Sequence, residues 1–224
     1  MLVKNRFGQY LLYATGEIIL VIIGILLALQ INSWNEHKKI ESELLSSLDA
    51  MTEELEENIQ FLSNGKQSFE VRLVRIKKLR DGKATEKDMR ELLNYIGQDF
   101  NSKPFDKIFE SLKEEKSLKL IKDKELVKKI NQFYEYSLTS IDKISEWHQG
   151  FVRNNIDPFI LENIPSNNGI VDITIARNLM KQLKFKNIIN YQSLFYDNYI
   201  SGCAKAITQA EALKTDINAY LEKE

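Results

Sequence analysis

A single cysteine, Cys203, stands in the 224 residues, so no intrachain disulfide can form. Whatever compartment holds the chain, its folded part must rest on an apolar core. Turn chemistry is scarce as well, with nine glycines and three prolines. Strand-rich folds need a turn about every eight to twelve residues, so this composition excludes them and points to long helices. An excess of positive charge is missing too. The net charge is −1, and beyond Trp34 the chain carries 29 basic against 31 acidic residues. That is no footprint for nucleic acid, which calls for a clearly basic surface.

The usual chemical signatures are absent. With so few glycines, neither a dinucleotide fingerprint nor a phosphate-binding loop occurs, and there is no nucleophile elbow. The only histidines are His37 and His148. His37 and Glu41 lie four apart on one helix face, but two ligands do not make a metal site, and a solvated pair is the reading. Trp147-His148 reads as a core edge with a hydrogen-bonded imidazole. Cys203 lies in a run of small residues and reads as a buried structural thiol. The expectation is a chain that is not an enzyme and has no cofactor and no metal.

What the chain does have is one long apolar run. Ile18 to Leu29, IILVIIGILLAL, has no polar side chain in twelve residues. A span needs roughly 20 helical residues. Weakly polar residues extend the run on both sides, from Tyr10 to Trp34, with Tyr10, Tyr13 and Trp34 as interfacial aromatics. Glu17 interrupts it. Ten Ile, Leu or Val residues favour insertion by about 3 to 6 kcal/mol, whereas one charge costs about 2.5 to 3.5 kcal/mol at the centre and less near an end. The apolar run wins, and a transmembrane helix over 10–34 is expected. A cleaved signal peptide is the rival, but no small-residue cleavage site follows Leu29. Lys4 and Arg6 with the amine face Lys38 and Lys39 across the span, and the lean is to an N-terminus inside. The expected organisation is a short cytoplasmic tail over 1–9, the span over 10–34 and an extracytoplasmic helical domain over 35–224.

Ala14, Glu17, Val21, Gly24, Ala28 and Ile31 follow one another at steps of three and four, which places them on one helix face. The face carries three small residues and the only acid of the span, and Gly24 with Ala28 would let another helix approach closely. One reading makes it an intramembrane interface, with the carboxylate turned to protein, either a second copy or another membrane protein. The other sets the span at Ile18 to Trp34 and leaves Glu17 at headgroup level. Both stay open at this stage.

Beyond the span, Ile40, Leu44, Leu48, Met51, Leu55, Ile59 and Leu62 continue a helical stripe. One helix from Tyr10 to about Leu62 would reach about 80 Å, with Asn64-Gly65 ending it. A second helix is expected from Gln67 to Arg80, broken by Asp81-Gly82. Thr85 with Asp88 forms an acidic version of a capping box for a short helix to Ile96. Pro104 marks a helix start with Phe105, Ile108, Phe109 and Leu112 on one face. Asp123 reads as an N-cap, and Leu126, Ile130, Phe133, Tyr134, Ile141, Ile144 and Phe151 line the helix that follows, closed at Asp157-Pro158. Ile164 to Gly169 is a loop. From Asp172 to Leu221 the chain is helical, with a bend near Phe185. Its core stripe is Ile189, Gln192, Phe195, Tyr199, Cys203, Ala206, Ala210, Leu213 and Ile217, thin around Gly202 where close packing is expected.

Two clusters carry a choice. Arg72, Arg75, Lys77, Lys78, Arg80 and Lys83 form a basic run, read as a solvated face ahead of a site for acidic partners or headgroups. Tyr191, Phe195, Tyr196 and Tyr199, with Phe133, Tyr134 and Tyr136, read as core ahead of a ligand cavity.

YLLYATGEIILVIIGILLALQINSWNE resembles the opening of a family of bacterial single-span membrane proteins of unknown function that carry YLLYAxGEIILVxxGILxALQINxWNE, Glu17 included. LKLIKDKELVKKINQFYE, Leu118 to Glu135, is similar to that family's middle region. Thr15 replaces the commoner Ile. The resemblance implies a Gram-negative inner membrane protein with a periplasmic helical domain, and it supplies no activity. The fold class expected is all-α, one N-terminal transmembrane helix continuing into an elongated extracytoplasmic antiparallel helical bundle. The function expected is an interaction or structural subunit of a membrane assembly. Its partners would be the bilayer and, through the span, itself or another membrane protein. The alternative is an extracytoplasmic ligand-sensing domain that signals through a separate partner.

Overall fold

The computed structural model describes residues 6–98, 104–165 and 172–223, with side chains from Leu11 onward. Among the described residues the chain is all-α, with no strand. It divides into two compact units, Met1–Ser47 and Leu48–Glu224.

Helix α1, Arg6–Arg80, contributes to both units. In the second unit its buried positions include Leu48, Met51, Leu55, Asn58, Leu62, Phe69, Leu73 and Ile76. The stripe therefore passes through Asn58, while Ile59, assigned to it on periodicity, is only half-buried. The helix does not end at Asn64-Gly65, and no second helix begins at Gln67. A glycine inside a helix costs about 1 kcal/mol. Burying Leu62 on one side of it and Phe69 on the other is worth about 1.5 to 3 kcal/mol for each side chain, so packing overrides the local breaker. Arg80 is the true end. Gly82 has φ +68, its N–H donates to the Leu79 carbonyl and the Lys83 N–H to the Lys78 carbonyl. This is a Schellman cap, which needs a left-handed residue, and glycine takes that conformation without strain.

α2, Glu86–Ile96, starts on the expected capping box. The Asp88 N–H donates to Thr85 Oγ1 and the Thr85 N–H donates to the Asp88 carboxylate. α3, Lys107–Glu114, starts later than expected, with Asp106 rather than Pro104 beside its first residue. It buries Phe109 and Leu112, whereas Phe105 stays outside. A 3-10 turn, Ser117–Leu120, follows.

Asp123 caps α4, Lys124–Asn131, by accepting from the Glu125 and Leu126 N–H groups. The helical path then runs through a π-helical stretch, Gln132–Leu138, into α5, Thr139–Phe151, and through a second, Val152–Ile156, into α6, Asp157–Asn163. Asp157-Pro158 thus does not close the helix. Pro158 sits in the first turn of α6, where the bonding register changes and the N–H it lacks is not needed.

Of the expected loop Ile164 to Gly169, only Ile164 and Pro165 lie among the described residues, and neither is helical. The last region is two helices rather than one bent helix. α7, Ile173–Leu179, is capped by Asp172, and α8 runs Leu183–Leu221 after a break at residues 180–182. Every member of the α8 stripe from Ile189 to Ile217 named above is buried. α8 packs against α4, α5 and the π-helical stretch Gln132–Leu138, and α2 packs against α7. At Gly202 an added Cβ would meet Ile141 Cγ1 at 3.6 Å. The thin section does bring α5 and α8 close.

Candidate intramembrane interface

Ala14, Glu17, Val21, Gly24 and Ala28 all lie on α1. At about 100° per residue they fall within roughly one third of the helix circumference. Ala14 is half-buried and the other four are exposed. A Cβ added at Gly24 would have nothing within 4 Å. Glu17 makes no hydrogen bond or ion pair among the described residues. Thr15, the departure from the resembled pattern, donates its hydroxyl to the Leu11 carbonyl at 2.8 Å. That bond satisfies the hydroxyl within the helix, which is what an apolar surrounding demands. At the other end of the run, Lys38 Nζ lies 4.2 Å from the Trp34 ring centroid, a cation–π contact that gathers charge and indole at one level.

The other residues singled out in the sequence fall elsewhere. His37 is exposed, and no group of three metal-ligating side chains exists among the described residues. His148 is buried, with Nε2 2.8 Å from Gln192 Oε1. Because a carboxamide oxygen only accepts, Nε2 is the protonated nitrogen. Gln192 Nε2 in turn donates to the Ile96 carbonyl at 3.0 Å. Cys203 is fully buried, and burial pushes its thiol up to about 11, against a smaller opposing hydrogen bond from Tyr199. It is an inert packing residue.

In the basic run, Arg75 pairs with Glu91 and Lys78 with Asp88, both acids of α2, so the run is partly neutralised inside its own unit. The aromatic cluster is core only in part: Phe133 and Tyr134 are buried with the α8 members below, whereas Tyr136 and Tyr191 are exposed. Phe195, Tyr196 and Tyr199 are buried, with Phe69 4.8 Å and 4.9 Å from the rings of Tyr196 and Tyr199. The cavity they share with His148 measures about 10 Å³, room for one water at most.

One polar constellation escaped the sequence reading. Glu54 and Asn58, one turn apart on α1, are both buried. Asn58 Nδ2 donates to the Phe105 carbonyl at 2.7 Å, and the Phe105 N–H returns a bond to Asn58 Oδ1 at 2.9 Å. Glu54 accepts from the Ile108 N–H at 2.8 Å and from the Tyr134 hydroxyl at 2.9 Å. Burial, reinforced by the Glu54 charge, raises Tyr134 far above the ordinary phenol range. Every strong bond here goes to backbone or to a phenol stacked on Phe109 at 4.6 Å. The constellation ties the start of α3 to α1 and has no solvent-facing reactive atom.

The fold and the exposed apolar helix define a class. Among the described residues this is an all-α protein with one helix that is long and apolar enough to cross a membrane, by length and composition. Residues 17–106 match the model of a family of unknown function, DUF6090. That match covers the acid, the apolar run and the chain through the basic run and α2 to Asp106. No curated protein and no solved structure matches the chain.

Proposed function

We propose that α1 crosses a bacterial inner membrane over 10–34, with 1–9 in the cytoplasm and 35–224 as an elongated antiparallel helical domain in the periplasm. In this reading the chain is a non-enzymatic interaction or structural subunit of a membrane assembly. It meets a second copy or another membrane protein through Ala14, Glu17, Val21, Gly24 and Ala28. The observation that carries the reading is the uncovered small-residue face around Gly24, with Glu17 unpaired among the described residues. A carboxylate in lipid costs about 2.5 to 3.5 kcal/mol at the centre of a span. A partner that hydrogen-bonds it removes much of that cost, and Gly24 with Ala28 lets the partner's backbone come close. The Glu54–Asn58 constellation supports the structural side of the reading, since its polar groups are used up in holding the fold. The sensing alternative called for a pocket of Tyr and Arg inside the bundle, and the small volume of the aromatic cavity counts against that site.

The test is purification in mild detergent from native membranes, with co-purifying chains identified and counted. The native chain should run as an assembly, with itself or with one stoichiometric partner. Glu17→Gln should weaken that assembly and Gly24→Leu should dissolve it. A particle unchanged in both variants would sink the interface.

A further inference from the structure

We propose that the cleft formed by the end of α1, the turn before α8 and the first two turns of α8 binds a small apolar anion, a carboxylate carried on a ring or a short chain. The cleft has a volume of about 280 Å³, with Leu79, Met180, Phe185 and Ile189 as its apolar lining and Arg80 and Lys186 as its cations. Phe185 and Ile189 are buried, while Arg80 and Lys186 are exposed.

Three observations give the cleft its sign. Arg75 and Lys78, earlier in the same basic run, are neutralised by Glu91 and Asp88, but Arg80 and Lys186 form no ion pair among the described residues. α8 starts without a side-chain cap on Gln182 and without an acid of its own in its first turn, and Glu162 of α6 meets Lys184 there only at 4.0 Å, so the start of this 39-residue helix adds positive potential. Three carbonyls of the last turn of α1, those of Lys77, Leu79 and Lys78, accept from the Asp81, Gly82 and Lys83 N–H groups and so oppose an anion less. The complement of two exposed cations and a helix N-terminus over an apolar floor is one negative head on an apolar body.

The volume sets the size. At about 30 Å³ per water-sized group, the cleft accommodates roughly nine or ten non-hydrogen atoms. A free aromatic or short-chain carboxylate fits, and the extended tail of a membrane lipid does not. This site lies wholly within residues 48–224 and does not depend on the intramembrane interface.

The probe is 4-fluorobenzoate, titrated into the full chain in lipid nanodiscs and read by fluorine NMR line-broadening, with empty nanodiscs as the partition control. The native chain should broaden the signal saturably beyond the control. Arg80→Ala and Lys186→Ala should each weaken binding by roughly tenfold or more, the loss of one charge-assisted bond. Asn190→Trp, at the exposed rim, should block the cleft. The neutral analogue 4-fluorobenzamide should not bind. All three positions are exposed, so helicity should be unchanged. Broadening equal to that of empty nanodiscs, equal response to the amide, or indifference to both charge variants would each overturn the proposal.

Discussion

Replacing Asn58 with alanine should destabilise the helical domain by roughly 2 to 4 kcal/mol. Asn58 is fully buried, and its carboxamide makes a donor and an acceptor bond to the same backbone unit, Phe105. Each such bond contributes about 1 kcal/mol net, and each backbone group left buried without a partner costs about 1 to 3 kcal/mol. Phe105 is 40% exposed, so water can reach part of its backbone, which keeps the sum at the lower end. Asn58→Asp should be worse than its size suggests. It keeps an acceptor for the Phe105 N–H but offers no donor to the carbonyl, and it sets a second carboxylate one turn from buried Glu54. The assay is urea unfolding of the full chain in nanodiscs, followed by helical circular dichroism. With a slope of about 2 to 3 kcal/mol per molar urea, the midpoint should fall by about 1 M. Exchange of the Phe105 amide hydrogen should accelerate in parallel. A loss below about 0.5 kcal/mol, the range of ordinary surface changes, with the Phe105 amide still protected, would refute the reasoning.

Further expectations concern single sites. The Thr85 N–H and hydroxyl, and more weakly Lys78, hold the Asp88 carboxyl down at about 2. A depressed acid stabilises the fold above its unfolded pKa and loses that contribution as pH falls through the folded value, so α2 should keep its cap until pH nears 2. An NMR titration of Asp88 reads this directly, and Thr85→Ala should move the midpoint up toward the ordinary range of about 3.9. Cys203 should resist iodoacetamide at pH 8 in the native chain and react once the chain is unfolded in urea, because the thiol is both buried and raised. Native-state alkylation would show that α8 opens. Gly202→Ala should be tolerated or stabilise by up to about 1 kcal/mol, since 3.6 Å is ordinary contact and alanine favours helix. Gly202→Leu should cost about 1 to 3 kcal/mol by forcing α5 and α8 apart; thermal melts of the two variants decide it.

Much of the fold was legible where the cause is local. The capping box at Thr85 and Asp88 and the N-cap at Asp123 are bonds between residues two or three apart, so spacing alone exposes them. The α8 stripe was readable because a helix buried on one side repeats its apolar positions with the helical period. That Ala14, Glu17, Val21, Gly24 and Ala28 share one face of α1 was legible for the same reason. The breakers misled. At Asn64-Gly65 the local penalty is small beside the burial available on both sides, and at Asp157-Pro158 the proline falls in the first turn of α6, where its missing N–H is not needed.

By itself, then, the sequence determined an all-helical chain without disulfides, an apolar N-terminal run with one acid on a small-residue face, and the phase of the core stripes. These follow from composition and from periods of three and four, which act along the chain. Only the tertiary structure decided which partners the buried polar residues meet. Asn58 meets Phe105 across 47 positions, Glu54 meets Tyr134 across 80 and His148 meets Gln192 across 44. The cleft joins Leu79 and Arg80 to residues 180–190. Such pairings depend on how separate helices pack, and no spacing along the chain encodes them.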